Sequence, residues 1–345
     1  MIPEYKYWVG GKWKESTERL EVVNPYDHQV IGMTWWASAA DMEKAVSASV
    51  EAFKEMRRLP AFKRADILCR ISESLRDRRE EVARVITLES GKPINDARGE
   101  VNRAVNTFRV ASEEAKRIGG EVIPLDLASG SEGRTGLTRR QPIGPIVGIS
   151  PFNFPLNLVA HKIAPALATG NTIILKPAPK TPLTALLLAE IIATVDIPAG
   201  AVNVLTCSND LSERMVCDPR VKMLSFTGSA PVGWSLKGKA AKKRVVLELG
   251  GNAGVIIESD ADIEYAAKRC AVGGFSYAGQ VCISVQRIFV QEEIFQGFVD
   301  RFIQQVQSMK VGDPMDEKTV MGPMIDLKAA ERAEDWIQEA VSQGA

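Results

Sequence analysis

Residues 145–176 read PIVGISPFNFPLNLVAHKIAPALATGNTIILK, and this stretch decides the class of fold. Two short apolar runs flank a segment rich in alanine and leucine that is long enough for a helix. A strand, a helix and a strand in this order predict parallel pairing through a crossover. The rhythm continues, with apolar runs that we interpret as strands at 201–207, 222–228, 244–249 and 253–258. The chain is therefore predicted to be an α/β protein.

The segment before this stretch contains two predicted strand pairs and a series of helices. Gly10-Gly11 lies between alternating strand formers, which is typical of a two-residue hairpin turn, and a second pair surrounds Asn24-Pro25. Ser38 predicts a helix start, because Asp41 follows three residues later in a capping-box position. Helical patterns continue to about Arg117. Residues 121–141 are then polar and glycine-rich, and they predict either an exposed hairpin arm or a linker.

The bulk composition excludes several classes of partner. The chain has 345 residues with 43 basic and 43 acidic side chains, which gives no support for a nucleic-acid or membrane-surface partner. No apolar run reaches the ~20 residues of a membrane span, and the start has no apolar signal core, so we expect a cytosolic protein. With five cysteines, no C-x-x-C pair and two histidines, a disulfide framework and a metal site are not expected.

The predicted strand ends carry residues suited to a nucleotide. Ligands of open α/β sheets bind beyond the carboxyl ends of the strands. Gly228 and Ser229 end one strand and lead into a helix with Gly233, where helix N–H groups favour a phosphate, although many ordinary turns contain Gly-Ser. Lys176 ends another strand and is suited to a ribose or phosphate oxygen, although a solvated strand-end lysine is the commoner case.

Three further residues are suited to catalysis. Glu248 lies in an apolar strand, where a buried carboxylate is either salt-bridged or a general base. Asn153 lies in a turn between two prolines, so its amide is either structural or a donor to an oxyanion. Cys282 ends the turn AGQVC, where it is either a packing residue or a nucleophile.

Together these stretches resemble the aldehyde dehydrogenase superfamily. PFNFP, LKPA, FTGS, LELGGN and GQVC are similar to successive motifs of the family, in the same order, over essentially the whole chain. The resemblance implies a Rossmann-like dinucleotide-binding domain at 1–120 and 142–248, a β-hairpin oligomerisation arm at 121–141, and a second α/β catalytic domain at 249–345. It also implies a homo-oligomer, a dimer or tetramer, for the full-length protein.

The resemblance also implies a reaction and a site. A small aldehyde is oxidised to its carboxylic acid with NAD or NADP, through a cysteine thiohemiacetal and a thioester. Cys282 matches the nucleophile, Glu248 the general base, Asn153 the oxyanion amide and Lys162 a lysine of the supporting shell. The cofactor residues implied are Ser150, Phe152, Lys176, Gly228, Ser229, Val232, Gly233 and Leu249. The substrate residues implied are Arg103, Phe154, Leu158, His161 and Val281.

Two departures from the family pattern leave alternatives open. Pro179 stands where NAD-preferring members commonly carry a glutamate, so both NAD and NADP are open. Family members continue beyond the length of this chain, so the catalytic domain is expected to be incomplete and C-terminally truncated. Arg103 keeps semialdehyde-type substrates open beside lactaldehyde-type ones. The rival functions are a thiol-dependent esterase, for which His28 and His161 are the two histidines, and a non-catalytic scaffold.

Overall fold

The computed structural model describes residues 2–345, which form four sheets and eleven α-helices. The strands are β1 (Tyr7–Val9), β2 (Lys12–Lys14), β3 (Arg19–Val23), β4 (Val30–Trp35), β5 (Val122–Pro124), β6 (Thr135–Leu137), β7 (Ile146–Ile149), β8 (Ile173–Lys176), β9 (Val202–Val204), β10 (Met223–Thr227), β11 (Arg244–Glu248), β12 (Ala253–Ile257) and β13 (Val285–Val290). The helices are α1 (Ala39–Met56), α2 (Ala61–Asp77), α3 (Arg79–Ser90), α4 (Ile94–Ala115), α5 (Asn157–Ala168), α6 (Leu183–Ala193), α7 (Asn209–Cys217), α8 (Ala230–Lys239), α9 (Ile263–Phe275), α10 (Glu292–Gln307) and α11 (Leu327–Ser342).

The main sheet has seven strands in the order β11-β10-β7-β8-β9-β1-β2. The five strands from β11 to β9 are parallel, and the hairpin β1–β2 adds to β9 in antiparallel fashion. From β7 the chain moves outward through β8 and β9, and then returns to place β10 on the other side of β7. A switch of direction of this kind creates a crevice at the carboxyl ends of β7 and β10. The α/β prediction is confirmed.

The predicted N-terminal elements are also confirmed. The turn at Gly10-Gly11 has φ values of 61° and 75°, and Trp8 pairs with Trp13 across the hairpin. A side chain at Gly11 would place a Cβ 2.8 Å from Ala199, so only glycine fits this turn. The second predicted pair is the antiparallel ladder of β3 and β4. At the start of α1, the capping box between Ser38 and Asp41 is complete.

Two buried carboxylates cap helices to which they do not belong. Glu100 of α4 accepts hydrogen bonds from the N–H groups of Leu156 (2.9 Å) and Asn157 (3.0 Å) at the start of α5. Glu89 of α3 does the same for the first turn of α6, and burial raises its pKa to about 8. Neither α5 nor α6 has a capping side chain of its own. The two glutamates therefore satisfy orphan donors and complement the helix dipoles.

Residues 121–141 form an exposed hairpin in which β5 and β6 pair antiparallel. The structure thus favours the predicted arm over a linker. Its large apolar side chains are exposed, with Leu127 at 82% and Leu137 at 79%.

Apolar packing falls into two clusters. The larger one surrounds the main sheet, and the smaller one is centred on Ile257, Ala267, Cys270 and Phe298. The second cluster lies within the region predicted to be the catalytic domain, and the domain boundaries themselves stay a prediction. Within residues 2–345 no helix is long and apolar enough to cross a membrane. The same residues contain no cluster of three or more potential metal-ligating His, Cys, Asp or Glu side chains.

Candidate active site

Four of the predicted site residues meet at the carboxyl edge of the main sheet. Ser150 follows β7, Lys176 ends β8, Gly228 follows β10 and Glu248 ends β11. The backbone joins them in pairs, because the Ser150 N–H donates to the Lys176 carbonyl at 3.1 Å and the Gly228 N–H to the Glu248 carbonyl at 3.0 Å. Parallel strands end at one edge, so residues far apart in sequence share the crevice beside the switch point.

Lys162 contacts this edge of the sheet from helix α5. It projects from α5, and its Nζ donates to the hydroxyl oxygens of Thr227 (2.8 Å) and Ser225 (3.3 Å) on β10. Thr227 in turn lies opposite Glu248 in the parallel ladder. Burial lowers the pKa of the Lys162 ammonium to about 8, and the Glu248 carboxylate opposes that shift. Lys162 therefore ties α5 to the strand beside the predicted general base.

Glu248 differs in one respect from the expectation of a buried carboxylate. Its strand, β11, is the last one at this side of the main sheet, and the Glu248 side chain is exposed. The residues of β11 alternate between exposed and partly buried, because this edge strand packs only one face on the helices that cover the sheet. Glu248 is accordingly open to solvent.

Cys282 is exposed and lies after an unusual turn. Tyr277, Ala278 and Gly279 all have positive φ, at 51°, 52° and 73°, although only the last is glycine. Consecutive left-handed residues of this kind cost energy and persist only where their surroundings hold them. The glycine pair after Glu248 packs on the same loop, since a Cβ on Gly251 would lie 3.2 Å from the Cys282 carbonyl oxygen.

Asn153 also reaches the Cys282 loop. Its side-chain Nδ2 donates to the carbonyl oxygen of Gln280 at 2.8 Å, two residues before Cys282. Asn153 thus contacts the loop that carries Cys282, and Gly251, three residues after Glu248, packs on the same loop. The roles that the resemblance implies for Asn153, Glu248 and Cys282 stay a prediction.

Sequence reasoning missed a buried group beneath Asn153. Lys92 follows α3, is buried, and donates to the backbone carbonyl of Asn153 at 2.7 Å and to the carboxylate of Glu100. Its ammonium lies 3.8 Å from the ring centroid of Phe154 and 5.0 Å from that of Tyr277. Burial lowers the pKa of Lys92, and Glu100 opposes the shift. The break at Gly91-Lys92-Pro93 was its only signal in the sequence.

The N-terminus of α8, where several predicted cofactor residues lie, has no side chain that caps it. Ser229 occupies the N-cap position but makes no side-chain capping bond, and the first turn has no acidic residue. A Cβ on Gly233 would lie 2.5 Å from Leu249 Cδ2, so α8 packs directly on the residue after Glu248. Val232 is exposed on the same turn. Free N–H groups at a helix start are suited to the phosphates of a dinucleotide.

The opposite wall of the crevice carries donors with few partners. Lys176 is buried, bonds the Oδ1 of Asn209 at 3.3 Å, and has its pKa lowered by burial. The hydroxyl of Ser150 is buried without a protein partner. Phe152 is half-buried, and its carbonyl oxygen accepts from Thr181 at 3.5 Å. A buried cation without a carboxylate partner and an orphan hydroxyl fit a polar, anionic cofactor such as NAD or NADP.

The predicted substrate residues divide into two groups. Arg103, Phe154 and Val281 line one mainly apolar cavity of about 710 Å³ between α4, β12 and α9. Leu158 and His161 do not line that cavity, and they share the less buried face of α5. Partial burial, with the positive charges of Arg103 and Lys162, lowers the pKa of His161.

An exposed thiol, a carboxylate and an amide donor lie on loops and strand ends near the switch point of a parallel sheet, the place where α/β enzymes bind nucleotides. The chain belongs to the aldehyde dehydrogenase family, whose model, described as "Aldehyde dehydrogenase family", matches residues 13–345. It is an NAD(P)-dependent oxidoreductase that converts an aldehyde to the carboxylic acid. The family, the fold class, the reaction and the cofactor class predicted from the sequence are confirmed.

Three similar proteins illustrate the match. A 3-sulfolactaldehyde dehydrogenase of Priestia aryabhattai is 43% identical over 345 residues, which are 100% of this chain and 72% of that protein. A lactaldehyde dehydrogenase of Methanocaldococcus jannaschii is 40% identical, over 98% of this chain and 72% of that protein. Aldehyde dehydrogenase 21 from Physcomitrella patens, solved with the reaction product succinate, is 43% identical with a TM-score of 0.97, over 100% of this chain and 72% of that one.

Proposed function

We propose that Cys282 is the nucleophile of aldehyde oxidation. Its thiolate attacks the aldehyde carbon, and the carbonyl oxygen becomes the oxyanion of a thiohemiacetal. The Asn153 amide, with the Cys282 backbone N–H, stabilises that oxyanion. The observation that carries the assignment is the bond from Asn153 to the Gln280 carbonyl, which holds the amide against the nucleophile's loop.

Glu248 acts in the second half of the reaction. NAD(P), when bound, would supply the hydride acceptor. Loss of the hydride from the thiohemiacetal leaves a thioester on Cys282. Glu248 then takes a proton from water, the water oxygen attacks the thioester carbon, and the Cys282 thiolate leaves with formation of the acid. Solvent exposure of Glu248 at the open end of β11 supports this role.

The cofactor is held by both walls of the crevice. The free N–H groups of the first turn of α8, after Ser229, bind the diphosphate, with Gly228 giving the turn and Gly233 allowing close packing. Lys176 and Ser150 bind the adenosine ribose. Residues Phe152, Val232 and Leu249 complete the cofactor site. NAD and NADP stay open, because Pro179 presents no carboxylate to repel a 2′-phosphate.

The substrate is a small aldehyde that carries an anionic group. Arg103 faces the cavity beside Phe154, with its guanidinium 5.5 Å from that ring, and forms no salt bridge among residues 2–345. An unpaired cation on a mainly apolar wall favours a sulfonate or carboxylate. The names 3-sulfolactaldehyde and succinate, printed for two of the similar proteins, point the same way, whereas lactaldehyde is the uncharged alternative.

The exposed arm at 121–141 pairs with a second copy, as a dimer or tetramer. Its apolar side chains and two open strand edges are features of a surface that another chain covers. Light scattering would test this, and a monomer would refute it. The cytosolic location stays a prediction from the sequence.

The test of the function is nicotinamide reduction, followed by absorbance of the reduced cofactor. We would offer succinate semialdehyde, lactaldehyde and propanal, each with NAD and with NADP. Cys282→Ser should lower the rate on the order of 10³-fold or more, because the nucleophile is lost. Cys217→Ser removes another exposed thiol and is the matched control, expected to keep full activity. Ester hydrolysis by the parent without any nicotinamide reduction would instead favour the hydrolase.

Two variants on α4 test the proposed substrate class. Arg103→Leu should raise the KM for succinate semialdehyde about 10- to 100-fold, the cost of one charge-assisted contact, and leave the KM for propanal unchanged. Arg109→Leu removes an exposed arginine that pairs with Glu113 and should change neither constant. Equal effects of Arg103→Leu on both aldehydes would contradict the anionic-substrate assignment.

A further inference from the structure

We propose that Lys92 is a positioning residue that holds the Asn153 turn and the Cys282 loop in one fixed geometry. The proposal rests on the roles of Asn153 and Cys282 given above and extends them to a buried residue that acts through its contacts with both loops.

The first support is that the Lys92 ammonium is buried and enclosed by interacting groups. It is 1% exposed, and its ammonium is surrounded by the Glu100 carboxylate, the Asn153 carbonyl oxygen and two aromatic rings. An ammonium has three N–H donors. The carboxylate and the carbonyl take two of them, and the faces of Phe154 and Tyr277 attract the charge. The group is thus committed to four neighbours at once.

The second support is that these neighbours belong to both halves of the oxyanion site. Asn153 carries the amide donor, and Phe154 is the next residue of the same turn. Tyr277 begins the strained turn that leads to Cys282, and its hydroxyl donates to the Ser90 carbonyl at 2.6 Å. The segment Ser90–Lys92 therefore contacts both loops, so it fixes the amide donor relative to the nucleophile.

The third support is the part played by Glu100. One of its carboxylate oxygens binds Lys92, and the other accepts both N–H groups at the start of α5. The Asn153 turn is thereby held at its carbonyl by Lys92 and at its end by the helix cap. Buried ion pairs are often no more stabilising than apolar residues of the same volume. The pair is better explained by what it positions than by a gain in stability.

The test compares Lys92→Met with the double variant Lys92→Met/Glu100→Gln. The single variant leaves Glu100 buried without its cation and is expected to lower the melting temperature. The double variant removes both charges, while the side-chain carbonyl of the introduced glutamine can still accept the two N–H bonds of α5. We expect kcat for aldehyde oxidation to fall about 10- to 100-fold in the double variant, with KM changed less than about threefold, because misplacement of about 1 Å can cost 10²-fold.

The control is Lys222→Met, which removes a lysine that bonds the Pro219 carbonyl at the opposite edge of the sheet. It should keep kcat within about twofold, because Lys222 is exposed and substitutions at such positions usually have small effects. A double variant that is folded and has the parental kcat would overturn the proposal.

A second readout does not depend on aldehyde oxidation. Amide hydrogen exchange at 152–157 and 276–282 should become about tenfold faster in the double variant, as both loops lose their shared contact. Unchanged exchange at both segments would overturn the proposal as well. If the parent protein oxidised no aldehyde, the roles of Asn153 and Cys282 would fail, and the exchange rates alone would then decide whether Lys92 holds the two loops.

Discussion

Lys162→Met should change how the stability of the protein depends on pH. Burial lowers the pKa of Lys162 from 10.5 to about 8 in the folded chain. Between these two pH values the unfolded chain binds more protons than the folded one, so the free energy of unfolding rises with pH. Below pH 8 the charged lysine therefore costs roughly 3 kcal/mol of stability, at about 1.4 kcal/mol for each pH unit, and near pH 10 less than about 1 kcal/mol.

Methionine at position 162 carries no charge and removes this cost at every pH. It also loses the bonds to Thr227 and Ser225, about 1 kcal/mol each, but that loss is nearly the same at pH 7 and pH 10. The stability of the variant relative to the parent should thus fall by about 2–3 kcal/mol from pH 7 to pH 10.

Urea unfolding followed by tryptophan fluorescence, at both pH values, would measure this difference. Lys222→Met is the control, since Lys222 is exposed and the same comparison should give no such change. A parent–variant difference that is equal at pH 7 and pH 10 would refute the reasoning. It would mean that burial does not destabilise the charged form of Lys162 in the folded chain. The contacts of Lys162 with Thr227 and Ser225 would then be accessible to water, in contrast to the structure.

Three further predictions concern the reaction. Asn153→Ala should lower kcat/KM for aldehyde oxidation about 10²- to 10³-fold, the usual effect of removing one oxyanion donor, and steady-state rates that stay unchanged would exclude that role. Gly233→Val should weaken NADH binding at least about tenfold in a fluorescence titration, because even a Cβ would lie 2.5 Å from Leu249 Cδ2, so that Leu249 or α8 must move; parental affinity would contradict the packing. Pro179→Glu should lower kcat/KM with NADP about tenfold and spare NAD, since a carboxylate there repels a 2′-phosphate; an equal loss with both would oppose the placement of the ribose.

Much of the site could be predicted because parallel strands impose a shared edge. Once the apolar runs around Lys176, Gly228 and Glu248 are interpreted as parallel strands, their carboxyl ends must lie side by side, whatever the sequence between them. The N-terminal turn and the capping box were equally local, and the structure confirms both. These predictions rest on residue types whose backbone preference is strong, and packing elsewhere does not change them.

The remaining features depend on contacts that a single sequence does not reveal. Lys92 lies far along the chain from Asn153, and no periodic pattern links them. The positive φ of Tyr277 occurs without glycine, because a buried hydroxyl bond and the Lys92 charge hold it, so turn chemistry gives no warning. Glu248 was expected to be buried because its neighbours are apolar. Its exposure follows instead from the position of β11 at the edge of the sheet, which only the strand order determines.

Helix α5 connects the two lysines that sequence reasoning treated separately or missed. At its start, Glu100 caps the helix and binds Lys92, which holds the carbonyl of Asn153. In its middle, Lys162 reaches β10 and the strand pair that ends at Glu248. The proposed oxyanion donor and the strand of the proposed general base are therefore both held by contacts with one helix. A single buried helix thus contacts the groups that support both residues on which the proposed reaction at Cys282 depends.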